Sequence, residues 1–171
     1  MRIYDVTVTI SAETPIYKGD PGVEFTSFKA IAAGSSANVS QISIGVHTAT
    51  HIDAPNHFID GAKRIHEIDP AKLIGPCRVI AMPENVIAIE PEHVGNINGV
   101  ERVIFKTQNS AFWSEPKRGF RTDFSYLTPP TAKLLAIVAS FSSASIICPS
   151  KRAALPAIRC ISLCSKKRSS F

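Results

Sequence analysis

Four side chains of metal-binding type fall within eleven residues, in the stretch HTATHIDAPNH at positions 47–57. They are three imidazoles and one carboxylate, from His47, His51, Asp53 and His57. Imidazole nitrogen and carboxylate oxygen are ligands of zinc and similar divalent ions, and they bind in the neutral and ionised forms that prevail near neutral pH. The cluster therefore predicts a divalent metal site, and the alternative is a polar loop that happens to be rich in histidine.

The spacing of these residues restricts the backbone that could gather them around one ion. All four occupy odd positions, so in an extended segment they would share one face. A helix would turn Asp53 roughly 200° away from His51, and Pro55 disfavours a helix interior. A fully extended strand would hold His47 and His51 roughly 13 Å apart, although ligands of one ion lie about 2 Å from it. We therefore expect the segment to bend around residues 48–50.

The same eleven residues resemble the signature of the family of metal-dependent cyclases and kynurenine formamidase-like hydrolases. That signature reads His, any, Gly, Thr, His, any, Asp, any, Pro, any, His, and ten of the eleven positions are compatible with it. Ala49 stands where the family has glycine, so a positive φ there would strain the backbone by about 1 kcal/mol. Three further segments resemble family elements, and the resemblance covers residues 3–136: TPIYKGDP (14–21), GPCRVIAM (75–82) and YLTPPTAKLLA (126–136).

The resemblance implies a role for each residue of the candidate site. His47, His51 and Asp53 would be metal ligands, with Asp53 bridging two ions and a further His and Glu supplied from nearer the C-terminus. It favours general acid and base catalysis for His57, which is also near enough to be a ligand or to orient one. Tyr17 matches a loop position whose aromatic side chain contacts an aryl substrate in the resembling formamidases; a plain surface anchor is the alternative.

The cofactor and the reaction follow from this ligand set. We expect zinc (Zn), as one or two ions, with manganese (Mn) as the alternative metal. Bound zinc lowers the pKa of its water toward about 7 and polarises a carbonyl, which suits hydrolysis of an amide, ester or lactone. The resemblance implies an arylformamidase-like hydrolase of C–N bonds other than peptide bonds, of the kind used in tryptophan catabolism, with a small-molecule substrate.

The C-terminal part of the chain has an unusual composition. All fourteen Asp and Glu lie at or before Asp123, where twelve Lys and Arg give a net charge of −2, and the seven remaining Lys and Arg give +7 after it. All nine Gly lie at or before Gly119. We interpret residues 1–136 as a C-terminally incomplete cyclase/formamidase-like domain. Residues 137–171 are interpreted as an atypical basic tail rich in Ser and Cys, produced by a reading-frame slip or by divergence.

This tail bears on the function, because the sequence has no His after His93 and no acid after Asp123. The additional His and Glu that a second ion would need are therefore missing. A catalytically impaired homologue that binds metal or ligand is accordingly the second hypothesis. The third is a basic-tailed interaction protein in which the histidine cluster is incidental.

Length and composition are those of one ordinary domain. The 171 residues are 44% hydrophobic and 19% charged, which is enough for one substantial core. Asp5 interrupts the first apolar run and no apolar stretch approaches about 20 residues, so we expect a cytoplasmic protein without a membrane partner. The pI near 9.2 comes from the tail and does not indicate nucleic-acid binding. Members of the resembling family commonly self-associate, so a homo-oligomer is an expectation.

Alternating and β-branched segments predict a β-rich framework around the site. Strands are predicted over residues 3–10, 23–32 and 38–46, and buried strands over 77–82 and 102–107.

Helix signals are fewer. A short helix is predicted over residues 69–75 with Asp69 as N-cap, another begins near Glu90, and a longer one spans 128–139 with Thr128 as cap. The elements together indicate an α/β domain with a β-rich mixed sheet. The family resemblance implies that this domain has the swivelling β/β/α architecture.

Overall fold

Six short strands, two α-helices and several 3-10 turns make up residues 7–138, the part of the chain that this computed structural model describes. The described residues form two units. The first contains residues 7–51 with Trp113–Arg121, and the second contains Ile52–Phe112 with 122–138. Each sheet in this part of the chain is two-stranded, so the fold is of the α/β type with small mixed sheets.

The first unit is built on an antiparallel hairpin of β1 (Glu24–Lys29) and β2 (Val39–Ser43). The two strands confirm, in shorter form, the predictions over 23–32 and 38–46. A 3-10 turn at Ile31–Ala33 follows β1 and ends at Gly34, whose φ of 85° reverses the chain. The candidate metal-binding segment follows shortly after β2 in the chain.

The predicted first strand, 3–10, is wrong over its described part, because residues 7–10 are not paired as a strand. Its earlier residues lie outside the described part of the chain. The backbone N–H of Val8 donates instead to the hydroxyl of Thr50, at 3.1 Å, so these residues bond to a side chain rather than to a sheet ladder. β-branched composition alone did not distinguish the two arrangements.

The second unit contains two pairs of parallel strands. β3 (Arg78–Ala81) pairs with β5 (Val103–Lys106), and β4 (Ala88–Ile89) pairs with β6 (Tyr126–Leu127). The strands predicted over 77–82 and 102–107 are thus confirmed in position.

The predicted burial holds only for β5, whose Val103 and Phe105 are 2% and 1% exposed. The prediction that β3 is buried is wrong. Most of its side chains are exposed, and Ile80 alone of the four is half-buried against the core. The core packs against one face of β3 through Ile80, and the other face, including Val79, is exposed to solvent.

The core of the second unit is a single apolar cluster. Burying a side chain of this size stabilises the fold by about 1.5–3 kcal/mol. The cluster consists of Ile89, Val94, Ile97, Val103, Phe105, Leu127 and Leu135.

The helices follow their predicted starts more closely than their predicted ends. α1 (Asn109–Phe112) was not predicted, and α2 (Pro129–Val138) confirms the helix predicted over 128–139. The Thr128 hydroxyl before α2 donates to the Glu90 carboxylate at 2.8 Å.

Two shorter helical predictions are realised as single turns. Asp69 accepts a hydrogen bond from the N–H of Ala71, as an N-cap should, but the helix predicted over 69–75 is a 3-10 turn limited to Pro70–Lys72. A second 3-10 turn at Pro91–His93 follows Glu90, as predicted. Short 3-10 turns of this kind form where the chain offers a cap and a proline but no longer apolar stripe.

The predicted basic tail lies almost wholly outside the described residues, so the domain boundary at residue 136 stays a prediction. None of the helices within residues 7–138 is long and apolar enough to cross a bilayer.

Candidate metal centre

The candidate metal-binding segment bends where the sequence predicts a bend. The Thr48 N–H closes a turn on the Gly45 carbonyl at 3.1 Å, and Ala49 has a φ of 55°. Ala49 is the one non-glycine residue with a positive φ among residues 7–138. The left-handed conformation costs an L-residue with a Cβ about 1–2 kcal/mol, so this bend is strained. The family's glycine at this position would adopt the same conformation without that cost.

The bend brings three of the predicted ligand residues together. One ligand atom each from His47, His51 and Asp53 can be chosen so that all three lie within 4.8 Å of one another. The His47 and His51 rings meet nearly edge to face, with centroids 5.2 Å apart and an interplanar angle of 79°. All three residues are half-buried, so they are partly shielded from water and still accessible to an ion.

A hydrogen bond to the strained residue orients His51. Its Nδ1 lies 2.9 Å from the carbonyl oxygen of Ala49. A carbonyl can only accept, so Nδ1 carries the proton and donates, which in a neutral imidazole places the lone pair on Nε2. Metal-binding histidines commonly have such a partner, which fixes both the tautomer and the ring orientation. The same backbone bend therefore positions one ligand and orients another.

The donor set fits a divalent cation. Ligands at about 2.0–2.2 Å from a tetrahedral ion lie roughly 3.4 Å apart, so the 4.8 Å limit requires only a small side-chain adjustment. Two imidazoles and a carboxylate are also the number and type of ligands found at catalytic zinc sites, where three protein groups leave a position for water or substrate. The cluster is the only such group among the described residues.

His57 is placed differently from the other three. It ends a 3-10 turn at Pro55–His57, is exposed, and its ring packs on Phe58 with centroids 3.9 Å apart. It is not a member of the group whose ligand atoms converge. Its assignment to proton transfer, with the ligand and orienting roles as alternatives, stays a prediction.

Tyr17 lines a cavity that it shares with a candidate metal ligand. The cavity has a volume of about 170 Å³, and the residues that line it include Ile16, Tyr17, Asp20, Pro21 and His47. A turn closed by the Asp20 N–H on the Tyr17 carbonyl, at 3.0 Å, holds this wall in place. The predicted substrate-side residue and the predicted ligand thus face one common space.

One aromatic residue that contacts Tyr17 was not identified from the sequence. The Phe120 ring contacts the Tyr17 ring edge to face, with centroids 5.2 Å apart and an interplanar angle of 89°. Phe120 is more than a hundred positions away in sequence, so no local pattern could have paired the two rings. The glycine at position 119 is a sequence signal of a turn, and in the structure it has φ 71° and ψ −167°.

Comparison with known proteins agrees with the predicted family. A family model described as "Putative cyclase" matches residues 4–139. A kynurenine formamidase from Salinibacter ruber is 31% identical over 112 residues, which are 64% of this chain and 53% of that protein. A kynurenine formamidase from Geobacillus thermodenitrificans is 32% identical over 132 residues, which are 77% of this chain and 61% of that protein. The chain therefore spans between about half and three fifths of the length of these relatives.

A solved structure leads to the same family. It is described as a potential metal-dependent hydrolase with cyclase activity and has 25% sequence identity to this chain. The TM-score is 0.71, and the match covers 94% of this chain and 76% of the other. Since the family model matches well over half of the residues, and curated relatives and a solved structure agree with it, this chain belongs to the cyclase family.

Proposed function

We propose that this protein is a metal-dependent hydrolase of amide substrates of the arylformamide type, or of related ester and cyclic carbonyl compounds. The observation that carries the proposal is the convergence of His47, His51 and Asp53 within 4.8 Å in a member of the cyclase family. The kynurenine formamidases among its relatives favour a C–N bond other than a peptide bond as the one that is cleaved.

Each residue of the site has a defined task in this proposal. When bound, a divalent cation would supply Lewis-acid activation of water and of the substrate carbonyl. The two imidazoles and Asp53 hold the cation, and the Ala49 carbonyl keeps the proton of His51 on Nδ1. His57 receives a proton as water attacks and returns it to the departing amine, a task for which imidazole suits neutral pH.

The metal is proposed to be zinc, with manganese as the alternative, because two nitrogen donors and one oxygen donor suit zinc better than a hard cation such as magnesium. We propose one ion rather than two. No second group of three potential ligands occurs among residues 7–138. A second ion would need additional imidazole or carboxylate ligands.

A second candidate is a catalytically impaired homologue that binds metal or ligand without turnover. It is favoured by the lack of a second group of metal-binding residues among residues 7–138 and by the exposed position of His57. In this candidate the three-residue cluster still binds one ion, so metal content alone does not separate the two functions.

Other properties are proposed on the family assignment. These are the swivelling β/β/α architecture, a cytoplasmic location, a role in tryptophan catabolism, a small-molecule substrate rather than a nucleic acid or membrane, and self-association.

The test combines metal analysis with an activity assay on the full chain. We expect about one equivalent of zinc or manganese per purified chain, and hydrolysis of formanilide, the simplest arylformamide. His51→Ala should lose the metal and lower kcat/KM at least about 100-fold, since even loss of an outer partner of a ligand costs about 10–100-fold in affinity. His66→Ala is the matched control, because His66 is an exposed histidine in the separate turn Ile65–Glu67.

The outcomes separate the candidates. Metal that is lost in His51→Ala and retained in His66→Ala, together with formanilide hydrolysis, supports the hydrolase. Metal binding without hydrolysis of formanilide, or of simple esters and lactones, supports the impaired homologue. Absence of metal from the wild-type chain after reconstitution with zinc and with manganese would refute both.

A further inference from the structure

The Tyr17 side of the cavity is supported by a segment distant in sequence. Within the first unit, Trp113–Arg121 lies against the loop that carries Tyr17. The contacts between them include the edge-to-face pair of Phe120 with Tyr17 and an ion pair of Lys117 with Glu13 at 3.4 Å. The ion pair is exposed on both sides, so it adds little positional restraint. The aromatic pair is half-buried and directional, so it is the contact that can fix the angle of the Tyr17 ring.

The backbone before Phe120 explains why its ring reaches Tyr17. The 3-10 turn Pro116–Arg118 ends at Gly119, whose φ of 71° and ψ of −167° lie in a region that is almost restricted to glycine. A Cβ built on Gly119 would meet nothing within 4 Å, so conformation rather than space requires glycine here. The direction in which Phe120 leaves the turn is therefore set by a backbone state specific to this position.

The size of the cavity indicates what the oriented ring would recognise. A volume of about 170 Å³ is close to the roughly 150 Å³ of an apolar cavity that accommodates benzene. Ile16 and Pro21 contribute apolar residues to the lining, and Tyr17 contributes an aromatic one, the side-chain type against which a flat ring packs well. Phe120 is not among the residues that line the cavity, but its ring contacts that of Tyr17, which is.

We propose that Phe120 is a positioning residue that determines selectivity for a planar, single-ring group by fixing the orientation of Tyr17 at the cavity wall. This inference rests on the proposed function for the identity of the reaction, but the ring-binding step does not require a metal. Substrate binding should therefore depend on Phe120, whereas the chemical step at the ligand cluster should not.

The experiment measures binding and turnover separately on the full chain. Benzamide is the binding probe for the metal-free protein, and cyclohexanecarboxamide is its saturated counterpart of similar size. Phe120→Ala should raise the Kd for benzamide about three- to tenfold, the range expected for one aromatic pair, and change that for cyclohexanecarboxamide less than about twofold. In the metal-loaded protein the KM for formanilide should rise by a similar factor, with kcat unchanged within about twofold.

Three variants control this result. Phe120→Tyr keeps an aromatic edge and should restore wild-type affinity for benzamide. Phe28→Ala removes a 66% exposed ring from β1 of the same unit and should have no effect. Lys117→Ala removes the ion pair and should change affinity less than about twofold. If Phe120→Ala does not fold, Phe120→Leu provides the decisive comparison, because it keeps the apolar volume but not the ring.

Failure of this inference is distinguishable from failure of the proposed function. Benzamide binding that depends on Phe120, without hydrolysis of formanilide, simple esters or lactones, supports the positioning role and rejects the hydrolase. Formanilide hydrolysis with a KM and a benzamide Kd that stay within about twofold in Phe120→Ala or Phe120→Leu overturns the positioning role and keeps the hydrolase. Equal weakening of benzamide and cyclohexanecarboxamide, or no benzamide binding by the wild-type chain, also overturns it.

Discussion

The strained bend at Ala49 makes a quantitative prediction about stability. Its φ of 55° is a conformation that glycine adopts freely and alanine does not. Ala49→Gly should relieve about 1–2 kcal/mol of strain in the folded state. The same substitution gives the unfolded chain more conformational freedom, which costs about 0.5–1 kcal/mol. The variant should therefore be as stable as the wild-type chain or more stable by up to about 1.5 kcal/mol.

A matched substitution separates the two terms. Ala30 precedes the turn Ile31–Ala33 in the same unit and has an extended backbone with φ −138° and ψ 132°. Ala30→Gly incurs the entropy cost without relieving strain and should lose about 0.5–1 kcal/mol. The difference between the two variants then measures the strain alone. For a chain of 171 residues, about 1–2 kcal/mol corresponds to roughly 2–8 °C in Tm.

The assay is thermal unfolding of the metal-free protein in a chelator, since a bound ion would add its own stabilisation to the folded state. Ala49→Gly is expected to melt above Ala30→Gly by that interval and to retain the same metal content, because glycine keeps the carbonyl that accepts from His51. Equal destabilisation by both variants would refute the reasoning, since it would mean that Ala49 has an ordinary negative φ in solution.

Two further substitutions test the second unit by chemical denaturation. Asn109→Ala should destabilise the protein by at least about 2 kcal/mol. The buried Asn109 amide donates to the Ser125 carbonyl at 3.0 Å and accepts from the Ser125 N–H at 2.7 Å, and both backbone groups would lose their partner. As a control, Asn98→Ala at an exposed position should change stability by less than about 0.5 kcal/mol. Gly75→Ala should lower the free energy of unfolding by about 1 kcal/mol or more. The φ of Gly75 is 151°, and a Cβ would lie 2.6 Å from Nη1 of Arg102, whose guanidinium donates to the Lys72 carbonyl. If Gly75→Ala destabilises an Arg102→Ala variant by the same amount, the backbone conformation and not the contact is responsible.

The parts of the candidate site that the sequence predicted are those determined by neighbouring residues. The candidate ligand residues, their two- and four-residue spacings and the need for a bend all lie between His47 and Asp53; the structure brings the three side chains together, and the bend falls at the predicted position. Strand positions were also predictable where apolar residues alternate between turns. The lengths of the strands could not be predicted. β4 and β6 are only two residues long, and they form because they pair with each other in parallel.

Features that depend on distant residues could not be predicted in this way. The exposure of β3 depends on whether another element covers its outer face. The four residues Arg78–Ala81 carry no information about such an element. The contact of Phe120 with Tyr17 joins two segments separated by about a hundred residues. Hydrophobic periodicity reports which face of an element is apolar, but it does not report which partner meets that face.

The locality of the three-ligand cluster has a consequence for how the site forms. His47, His51, Asp53 and the carbonyl that orients His51 all come from seven consecutive residues. The entropy of closing a chain around an ion grows with the length of the loop, so ligands this close in sequence incur a small closure cost. Part of that advantage is offset by the strain at Ala49, which the folded segment must sustain before any ion binds. Binding of an ion by these local ligands would therefore depend little on residues distant in the chain.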